Sequence, residues 1–247
     1  MFPIGDENEQ GRGYAWVTLA IIAVNILVFV LLQLPDEDGR FTYGYSAIPR
    51  EITHNVDLVE PTPVQVGGQT EEIPQAPGPD PIYLTLLTSM FMHGGIAHIF
   101  GNMLFLWIFG DNVEHRAGPI VYLGFYLLAG IVAALAQIFV SPDSPIPTLG
   151  ASGAISGVLG AYIVLFPHNR VRVIVFRFIT VVPAIVAIGL WALLQFINGF
   201  GALFISDETT GGVAYMAHVG GFVAGLIAGL IFRGMGGGRA GAVRYAG

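Results

Sequence analysis

The sequence predicts an all-α membrane protein, built as a bundle of six transmembrane helices. Of the 247 residues, 54% are hydrophobic and only 11% are charged, and the apolar residues cluster into long uncharged stretches. A soluble globular domain carries about 25% charged residues. A helix that spans a bilayer needs about 20 mainly apolar residues. The stretches that meet this requirement are 14–34, 95–113, 119–140, 150–167, 173–199 and 212–232.

Composition excludes several classes of protein. The chain contains no cysteine, which excludes disulfide frameworks, thiolate metal sites and cysteine nucleophiles. Its net charge of −7 argues against nucleic acid as a partner. The HExxH motif of zinc proteases is absent from the sequence. We therefore expect neither a metal ion nor a cofactor.

Charge predicts the orientation of the stretches. The first, 14–34, follows the acidic start "GDENEQ", which differs from the cationic start of a signal peptide. Eight of the ten arginines flank the side that holds both termini, and only Arg40 and Arg50 lie in loops on the other side. By the positive-inside rule, we expect a multi-pass protein of the cell membrane with both termini in the cytoplasm. Residues 1–13 and 233–247 are predicted tails around a membrane domain, 14–232.

The loop 35–94 is predicted to lie on the outer side. Its middle, 60–81, is rich in proline and acidic residues and should be extended or mobile. Its ends, "FTYGYSAIPREI" and "PIYLTLLTSMFM", are apolar enough to lie along the membrane interface. Among the spans, 173–199 is the least regular, because Arg177 and Pro183 lie within it.

Four polar side chains fall at similar depth in three of the predicted spans. His98 and Asn102 lie about one turn into 95–113, Ser152 near the start of 150–167, and His218 about two turns into 212–232. A polar residue in lipid is a functional candidate, because leaving it unpaired is costly. The alternative is hydrogen bonding between helices, which contributes about 0.6 kcal/mol per residue. Unrelated hydrogen bonds of that kind would not be expected to lie at the same depth in three different spans.

Small residues predict that two of these spans pack closely. Faces with a small residue at every fourth position let two helix backbones approach each other in a membrane. Close packing would bring the Ser152 hydroxyl within hydrogen-bond distance of the His218 imidazole, which is the contact that an activated nucleophile needs. The small residues are Gly153, Ser156, Gly157 and Gly160 in the fourth stretch and Gly221, Gly225 and Gly229 in the sixth.

Three segments resemble the hallmark segments of the rhomboid intramembrane serine proteases. They are "HGGIAHIFGNMLFLWIFGDNVEHRAG", "GASGAISGVLGAY" and "AHVGGFVAGLIAGL". The resemblance covers about 90–232, and the first span fits a six-helix rhomboid-like bundle. It implies a serine endopeptidase that uses a Ser-His dyad to cut single-span or multi-span membrane proteins in the bilayer, close to the outer face.

The resemblance also implies individual roles. Ser152 would be the nucleophile and His218 its general base. His98 and Asn102, together with Gly150 and the backbone N–H of Ser152, would stabilise the oxyanion. Structural roles are implied for three further residues, which are His93, Glu114 and Arg116.

One position departs from the family pattern. Some rhomboids carry an aromatic residue four positions after the nucleophile, where it stacks on the catalytic histidine, and this chain has Ser156 there. We expect Ser156 to orient His218 by a hydrogen bond or through water. Substrate should reach the site past the fifth span and the loop "GFGALFISDETTGG". The candidate gate residues are Trp191, Gln195 and Phe196, for which ordinary helix packing is an equal alternative.

Other hydrolases fit the sequence less well. A lipase elbow needs GxSxG, but Ala154 stands where its last glycine should be. An intramembrane aspartyl protease needs two buried aspartates, and Asp111 is the only one near a span. A channel or transporter would carry buried charge in its spans. The strongest alternative is an inactive rhomboid-like protein that binds or escorts membrane clients.

Overall fold

The protein is mostly helical in a computed structural model that describes residues 2–7, 13–66, 69–202 and 214–235. The helices, in chain order, are α1 (Trp16–Val28), α2 (Arg40–Gly44), α3 (Pro49–His54), α4 (Thr85–Thr88), α5 (Ile96–Ala117), α6 (Pro119–Val140), α7 (Ser152–Leu165), α8 (Ala184–Ala202) and α9 (Tyr215–Met235). The strands are β1 (Phe2–Gly5), β2 (Thr62–Val66), β3 (Gln69–Ile73), β4 (Arg170–Val175) and β5 (Phe178–Pro183).

Within these described residues, four helices are long and apolar enough to cross a membrane. They are α1 with the π-helical turn that continues it to Gln33, α5, α6 and α9. Two further apolar segments, Ser152–Leu165 of α7 and Ala184–Phe200 of α8, are shorter than the same criterion requires. Each of these six helices overlaps one of the six predicted stretches. α5, α8 and α9 extend three or four residues beyond the predicted ends, and α6 has the bounds that the sequence predicted.

α7 forms the centre of the bundle, and every residue from 153 to 162 in it is buried. Glycines let two neighbouring helices approach it. A Cβ added to Gly153 or Gly157 would lie 2.6 Å from the Cβ of Ala133 or Ala129 on α6. On the other side, α9 makes extensive contact with α7. α7 therefore packs tightly against α6 as well as α9.

The contact between α7 and α9 is backbone against backbone. A Cβ on Gly221 would collide with the carbonyl oxygen of Gly153, and a Cβ on Gly225 with that of Gly157. A Cβ on Gly160 would collide with the Phe222 carbonyl oxygen. Along the same line, a Cβ on Gly229 would lie 3.0 Å from the Ala161 Cα. α7 and α9 therefore approach each other through small residues.

Glu114, near the end of α5, stabilises the start of α1. Ala15 precedes α1 and has no side chain that could cap its free N–H groups. The Glu114 carboxylate accepts hydrogen bonds from the Val17 and Thr18 amides at 3.0 and 2.7 Å, and from the Thr18 hydroxyl at 2.7 Å. A carboxylate at this end also interacts favourably with the helix dipole. Nearby, Arg116 donates to the carbonyl of Arg233 on α9 at 3.1 Å.

Two small antiparallel sheets correct the prediction of an all-α fold. One has the strand order β1-β4-β5, and the other pairs β2 with β3. The segment 170–183, "RVRVIVFRFITVVP", is rich in valine and isoleucine, which favour strands. The start of the predicted span 173–199 is therefore wrong. Residues up to Pro183 form the hairpin of β4 and β5, and α8 begins at Ala184.

The N-terminal segment, within the predicted tail 1–13, is joined to the bundle. β1 pairs with β4, with Phe2 opposite Ile174. Beyond it, the Asp6 carboxylate accepts hydrogen bonds from Asn112 Nδ2 at 2.8 Å and from the Tyr162 hydroxyl at 2.6 Å. Of the predicted C-terminal tail, residues 236–247 lie outside the described residues.

The loop 35–94 holds the segment of chain that enters α7. Ala47 and Thr148 exchange backbone hydrogen bonds of 3.0 and 2.8 Å, and the amide of Gly150 donates to the carbonyl of Ser89 at 2.9 Å. The predicted extended segment 60–81 contains the hairpin of β2 and β3. Both apolar ends of the loop contain short helices. The loop therefore supports the segment immediately before Ser152.

Candidate active site

The four polar side chains lie near the N-terminal ends of three helices. Ser152 is the first residue of α7, His218 lies in the first turn of α9, and His98 lies in the first turn of α5, with Asn102 one turn later. The Ser152 Oγ is 2.8 Å from the His218 Nε2. The close packing of α7 and α9 holds this pair together, since both helix backbones are in contact one turn further along.

The contacts of His218 determine which of its nitrogens carries the proton. Its Nδ1 lies 2.8 Å from the Oε1 of Gln195 on α8. An amide oxygen can only accept a hydrogen bond, so Nδ1 is the donor and Nε2 has a free lone pair. Nε2 therefore accepts a hydrogen bond from the Ser152 hydroxyl. This is the tautomer that a general base for Ser152 requires.

The expectation that Ser156 orients His218 by a hydrogen bond is wrong. The Ser156 hydroxyl is buried and donates to the carbonyl of Ser152, one turn earlier, at 2.6 Å. Serine side chains in helices commonly bond to the carbonyl four residues before them. In this way the Ser156 hydroxyl is satisfied within α7, and Gln195 supplies the partner of His218 instead.

His98 presents an N–H group to the same region. The Gly94 amide donates to the His98 Nδ1 at 3.2 Å, so the ring proton lies on Nε2. A Cβ built on Gly150 would lie 3.0 Å from this Nε2 and 3.5 Å from the Ser152 Oγ. The φ of Gly150 is +124°, which residues with a side chain rarely adopt. Glycine thus keeps open a position that borders both Ser152 and His98.

Asn102 and the start of α7 supply further donors. The Asn102 Nδ2 is buried and has no hydrogen-bond partner among the described residues. Leaving a buried donor unsatisfied costs about 1–3 kcal/mol, so such a group is suited to an acceptor that arrives with a ligand. The amides in the first turn of α7 also have no carbonyl partner within the helix. These groups can stabilise negative charge beside Ser152.

His93 is a buried residue that packs against His98. It is 2% exposed, and its ring lies 5.2 Å from the His98 ring, edge to face. Gln33 holds the His93 backbone with two hydrogen bonds. Its Nε2 donates to the His93 carbonyl at 3.0 Å, and its Oε1 accepts from the His93 amide at 2.9 Å. Burial, together with the neighbouring His98, lowers the pKa of His93 to about 4. A neutral His93 therefore packs against His98 at neutral pH.

The three candidate gate residues lie in different surroundings. Gln195 contacts His218, and the Trp191 ring lies 6.0 Å from the His218 ring at an angle of 41°. Phe196 stacks on Phe200 within α8, with 6.4 Å between ring centroids. The loop predicted beside them lies largely outside the described residues, since 203–213 are not described. In the described ranges, no group of three or more His, Cys, Asp or Glu side chains could hold a metal ion.

Sequence reasoning missed the role that Gln195 has at His218. Trp191 and Gln195 are four residues apart, so they share one face of α8. That shared face was the available signal, and it indicates that both residues meet the same neighbour. It did not identify that neighbour as His218.

Comparison with known proteins identifies the family. A family model described as Rhomboid domain matches residues 81–235. Rhomboid protease GluP of Bacillus subtilis is 36% identical over 143 residues, which are 58% of this chain and 25% of that protein. Rhomboid protein 1, mitochondrial, of Saccharomyces cerevisiae is 27% identical over 215 residues, 85% of this chain and 51% of that protein.

A third relative is the human Presenilin-associated rhomboid-like protein, mitochondrial. It is 27% identical over 169 residues, which are 68% of this chain and 37% of that protein. The chain thus spans between a quarter and about half of the length of these relatives. Because the Rhomboid domain model matches more than half of its residues, including α5, α7 and α9, the chain belongs to the rhomboid family.

Proposed function

We propose that this chain is an intramembrane serine endopeptidase in which Ser152 is the nucleophile and His218 the general base. The observation that carries the proposal is the 2.8 Å contact between Ser152 Oγ and His218 Nε2, in the tautomer that leaves Nε2 free to accept a proton. The substrates are membrane proteins whose transmembrane helices can unwind locally, since a hydrogen-bonded helix hides its carbonyl groups.

The reaction proceeds through an acyl-enzyme. The Ser152 Oγ attacks the substrate carbonyl carbon while His218 Nε2 takes the hydroxyl proton. The resulting oxyanion accepts hydrogen bonds from His98 Nε2–H, Asn102 Nδ2–H and the Ser152 backbone amide. His218 then protonates the departing amine as the C–N bond breaks. A water molecule, deprotonated by His218, finally hydrolyses the ester and regenerates the Ser152 hydroxyl.

The length of α7 supports a site below the membrane surface. Its 14 residues extend over about 21 Å, whereas the hydrocarbon core is about 30 Å thick. A buried central helix of this length does not reach both faces of the bilayer, and Ser152 is its first residue. We propose that α1, α5, α6, α7, α8 and α9 together form the six membrane helices and that water reaches Ser152 from the outer side.

We further propose that the protein lies in the cell membrane with both termini in the cytoplasm, as the distribution of arginines indicates. This orientation puts the N-terminal ends of α5, α7 and α9, and with them the site, toward the outer face. Two of the relatives carry the word mitochondrial in their names. Cysteine accessibility at positions introduced into the outer loop and the N-terminal segment tests the orientation.

Cleavage of a single-span substrate in purified proteoliposomes tests the proposed activity. We expect Ser152→Ala and His218→Ala to abolish turnover, since each removes a group that forms or breaks a bond. Ser141→Ala is a matched control, because Ser141 makes only backbone hydrogen bonds among the described residues. Undiminished cleavage by Ser152→Ala would contradict the assignment.

Labelling by a fluorophosphonate distinguishes the enzyme from an inactive rhomboid-like protein that binds membrane clients. The reagent reacts with an activated serine, so we expect the wild type and Ser141→Ala to be labelled and Ser152→Ala to remain unlabelled. A wild-type protein that binds a membrane helix but is neither labelled nor active would support the binding protein instead.

A further inference from the structure

We infer that Gln195 is a positioning residue that holds His218 in its base-competent tautomer. The inference rests on the proposed function and adds to it a third side chain, from a third helix. Ser152, His218 and Gln195 form a continuous hydrogen-bonded chain, with 2.8 Å between Ser152 Oγ and His218 Nε2 and 2.8 Å between His218 Nδ1 and Gln195 Oε1.

The chemistry of an amide suits this position. Without a partner, either ring nitrogen of a neutral histidine can carry the proton, and a proton on Nε2 would prevent that atom from accepting one from Ser152. The Gln195 oxygen fixes the proton on Nδ1. When His218 becomes an imidazolium during acyl transfer, the same oxygen accepts its Nδ1–H and stabilises the new charge.

A neutral partner also suits the surroundings. A carboxylate among apolar helices carries a large desolvation penalty, whereas a hydrogen-bonded amide carries a much smaller one. The described helices α7, α8 and α9 contain no Asp or Glu, so none of them offers a carboxylate as a partner for His218. Gln195 therefore supplies an acceptor without introducing a buried charge.

Trp191 restricts His218 from a second direction. It lies one turn before Gln195 on α8, and its ring is 6.0 Å from the His218 ring and 6.2 Å from the Phe222 ring. The imidazole thus has a hydrogen bond to Gln195 in its plane and an aromatic neighbour from the same helix. Two residues of α8 consequently restrict the rotation of a side chain on α9.

This arrangement makes the base depend on the docking of α8. Ser152 and His218 belong to α7 and α9, whose backbones are in direct contact, whereas Gln195 belongs to a separate helix. α8 meets the start of α9 at Gly199, where a Cβ would lie 3.2 Å from Met216 Sδ. A displacement of α8 would break the bond to Nδ1 while leaving the contact of α7 with α9 intact.

The test uses the full chain in proteoliposomes and compares Gln195→Met with Gln195→Glu. Methionine has a similar size but offers no comparable acceptor, whereas glutamate keeps an oxygen for the Nδ1–H. We expect Gln195→Met to lower kcat by about 10- to 100-fold, by analogy with the loss seen when the partner that orients a metal-ligating histidine is removed. We expect KM to remain unchanged and Gln195→Glu to recover much of the rate.

The rate of fluorophosphonate labelling distinguishes positioning from a role in substrate access. This small reagent does not need a transmembrane substrate to pass α8, so Gln195→Met should slow its reaction with Ser152 only if the base has been disturbed. Gln137→Met is the matched control, because it makes the same change on α6 at an amide oxygen with no hydrogen bond among the described residues. We expect it to react at the wild-type rate.

The outcomes separate this inference from the proposed function. Wild-type labelling and kcat in Gln195→Met, with Ser152→Ala inactive, would overturn the role of Gln195 and leave the protease assignment standing. A raised KM with an unchanged labelling rate would also overturn it, in favour of a role in substrate access. Wild-type protein that is neither labelled nor active would overturn the proposed function itself.

Discussion

At the scale of single residues, Gly150 determines how closely Ser152 and His98 can approach each other. Its φ of +124° turns the chain into α7, and any Cβ there would meet the His98 ring at 3.0 Å. The GxSG sequence could be recognised without this knowledge. The reason for its first glycine is visible only once α5 and the start of α7 are seen side by side.

Substitution of Asn102 should reduce activity without reducing the stability of the fold. We expect Asn102→Ala to lower kcat by about 10²- to 10³-fold, as removal of one oxyanion-hole donor does in a serine protease. Its unfolding temperature should change little, because the Nδ2 group makes no hydrogen bond among the described residues. The measurements are cleavage kinetics in proteoliposomes and thermal unfolding in detergent.

Asn198→Ala is the control for this substitution. Asn198 is an exposed residue on α8 and should tolerate alanine in both measurements. If Asn102→Ala cleaved at the wild-type rate, Asn102 would not be an oxyanion donor. A parallel loss of stability and activity would assign it to helix packing.

At the scale of secondary-structure elements, the contact of α7 with α9 determines whether Ser152 meets His218. The contact needs glycine on both helices, since side chains would force the two backbones apart. Sequence spacing indicates such a contact, because small residues at every fourth position share one face of a helix. It did not indicate that Gly153 and Gly157 would face α6.

Gly225→Ala tests this contact. The added Cβ would collide with the carbonyl oxygen of Gly157, and a backbone atom cannot move aside as a flexible side chain can. Overpacking of this kind typically costs about 1–3 kcal/mol. We expect that loss in the free energy of unfolding, measured by denaturant titration in mixed micelles, together with reduced cleavage as Ser152 and His218 move apart.

Gly124→Ala provides a matched comparison on α6. A Cβ there would meet nothing within 4 Å, and alanine is favoured over glycine in a helix by up to about 1 kcal/mol. We expect unchanged or slightly raised stability and wild-type cleavage. Equal effects of the two substitutions would show that the contact of α7 with α9 is not especially tight.

The hairpin of β4 and β5 shows where sequence reasoning about elements fails. Its first four residues, RVRV, alternate polar and apolar as a strand does, but residues 173–176 form an unbroken apolar run that does not distinguish a buried strand from the start of a buried helix. Its pairing with β1, more than 160 residues earlier in the chain, contributes to the choice. A non-local partner of this kind is not visible in a local pattern.

At the scale of the whole molecule, Asp6 joins the N-terminal segment to two helices of the bundle. It accepts hydrogen bonds from Asn112 on α5 and Tyr162 on α7. Burial is the main cause that raises the pKa of Asp6 to about 7. Between about pH 4 and pH 7 the folded protein therefore holds a proton on Asp6 that the unfolded chain has released, and stability falls as the pH rises through this range.

Asp6→Asn should remove part of this pH dependence. The asparagine oxygen can still accept from Asn112 and Tyr162, but the side chain does not ionise. We expect thermal unfolding temperatures that fall less between pH 4.5 and pH 8 than those of the wild type. Glu51, whose pKa burial also raises to about 7, accounts for part of the slope that remains.

Asp38→Asn, at an exposed position in the loop 35–94, is the control and should follow the wild-type profile. A profile of Asp6→Asn that runs parallel to that of the wild type would contradict the role of Asp6. The comparison uses differences between variants, so the contributions of other acidic groups cancel.

The sequence by itself determined the membrane character, the approximate limits of the helices and the residues that compose the candidate site. These properties depend on local composition and on spacing along one helix, which a single chain displays directly. The tertiary structure alone decided that Gln195 faces His218, that Ser156 bonds to its own helix, and that the N-terminal segment joins a sheet. Each of these depends on how separate elements are rotated and placed against one another, and no local pattern encodes that placement.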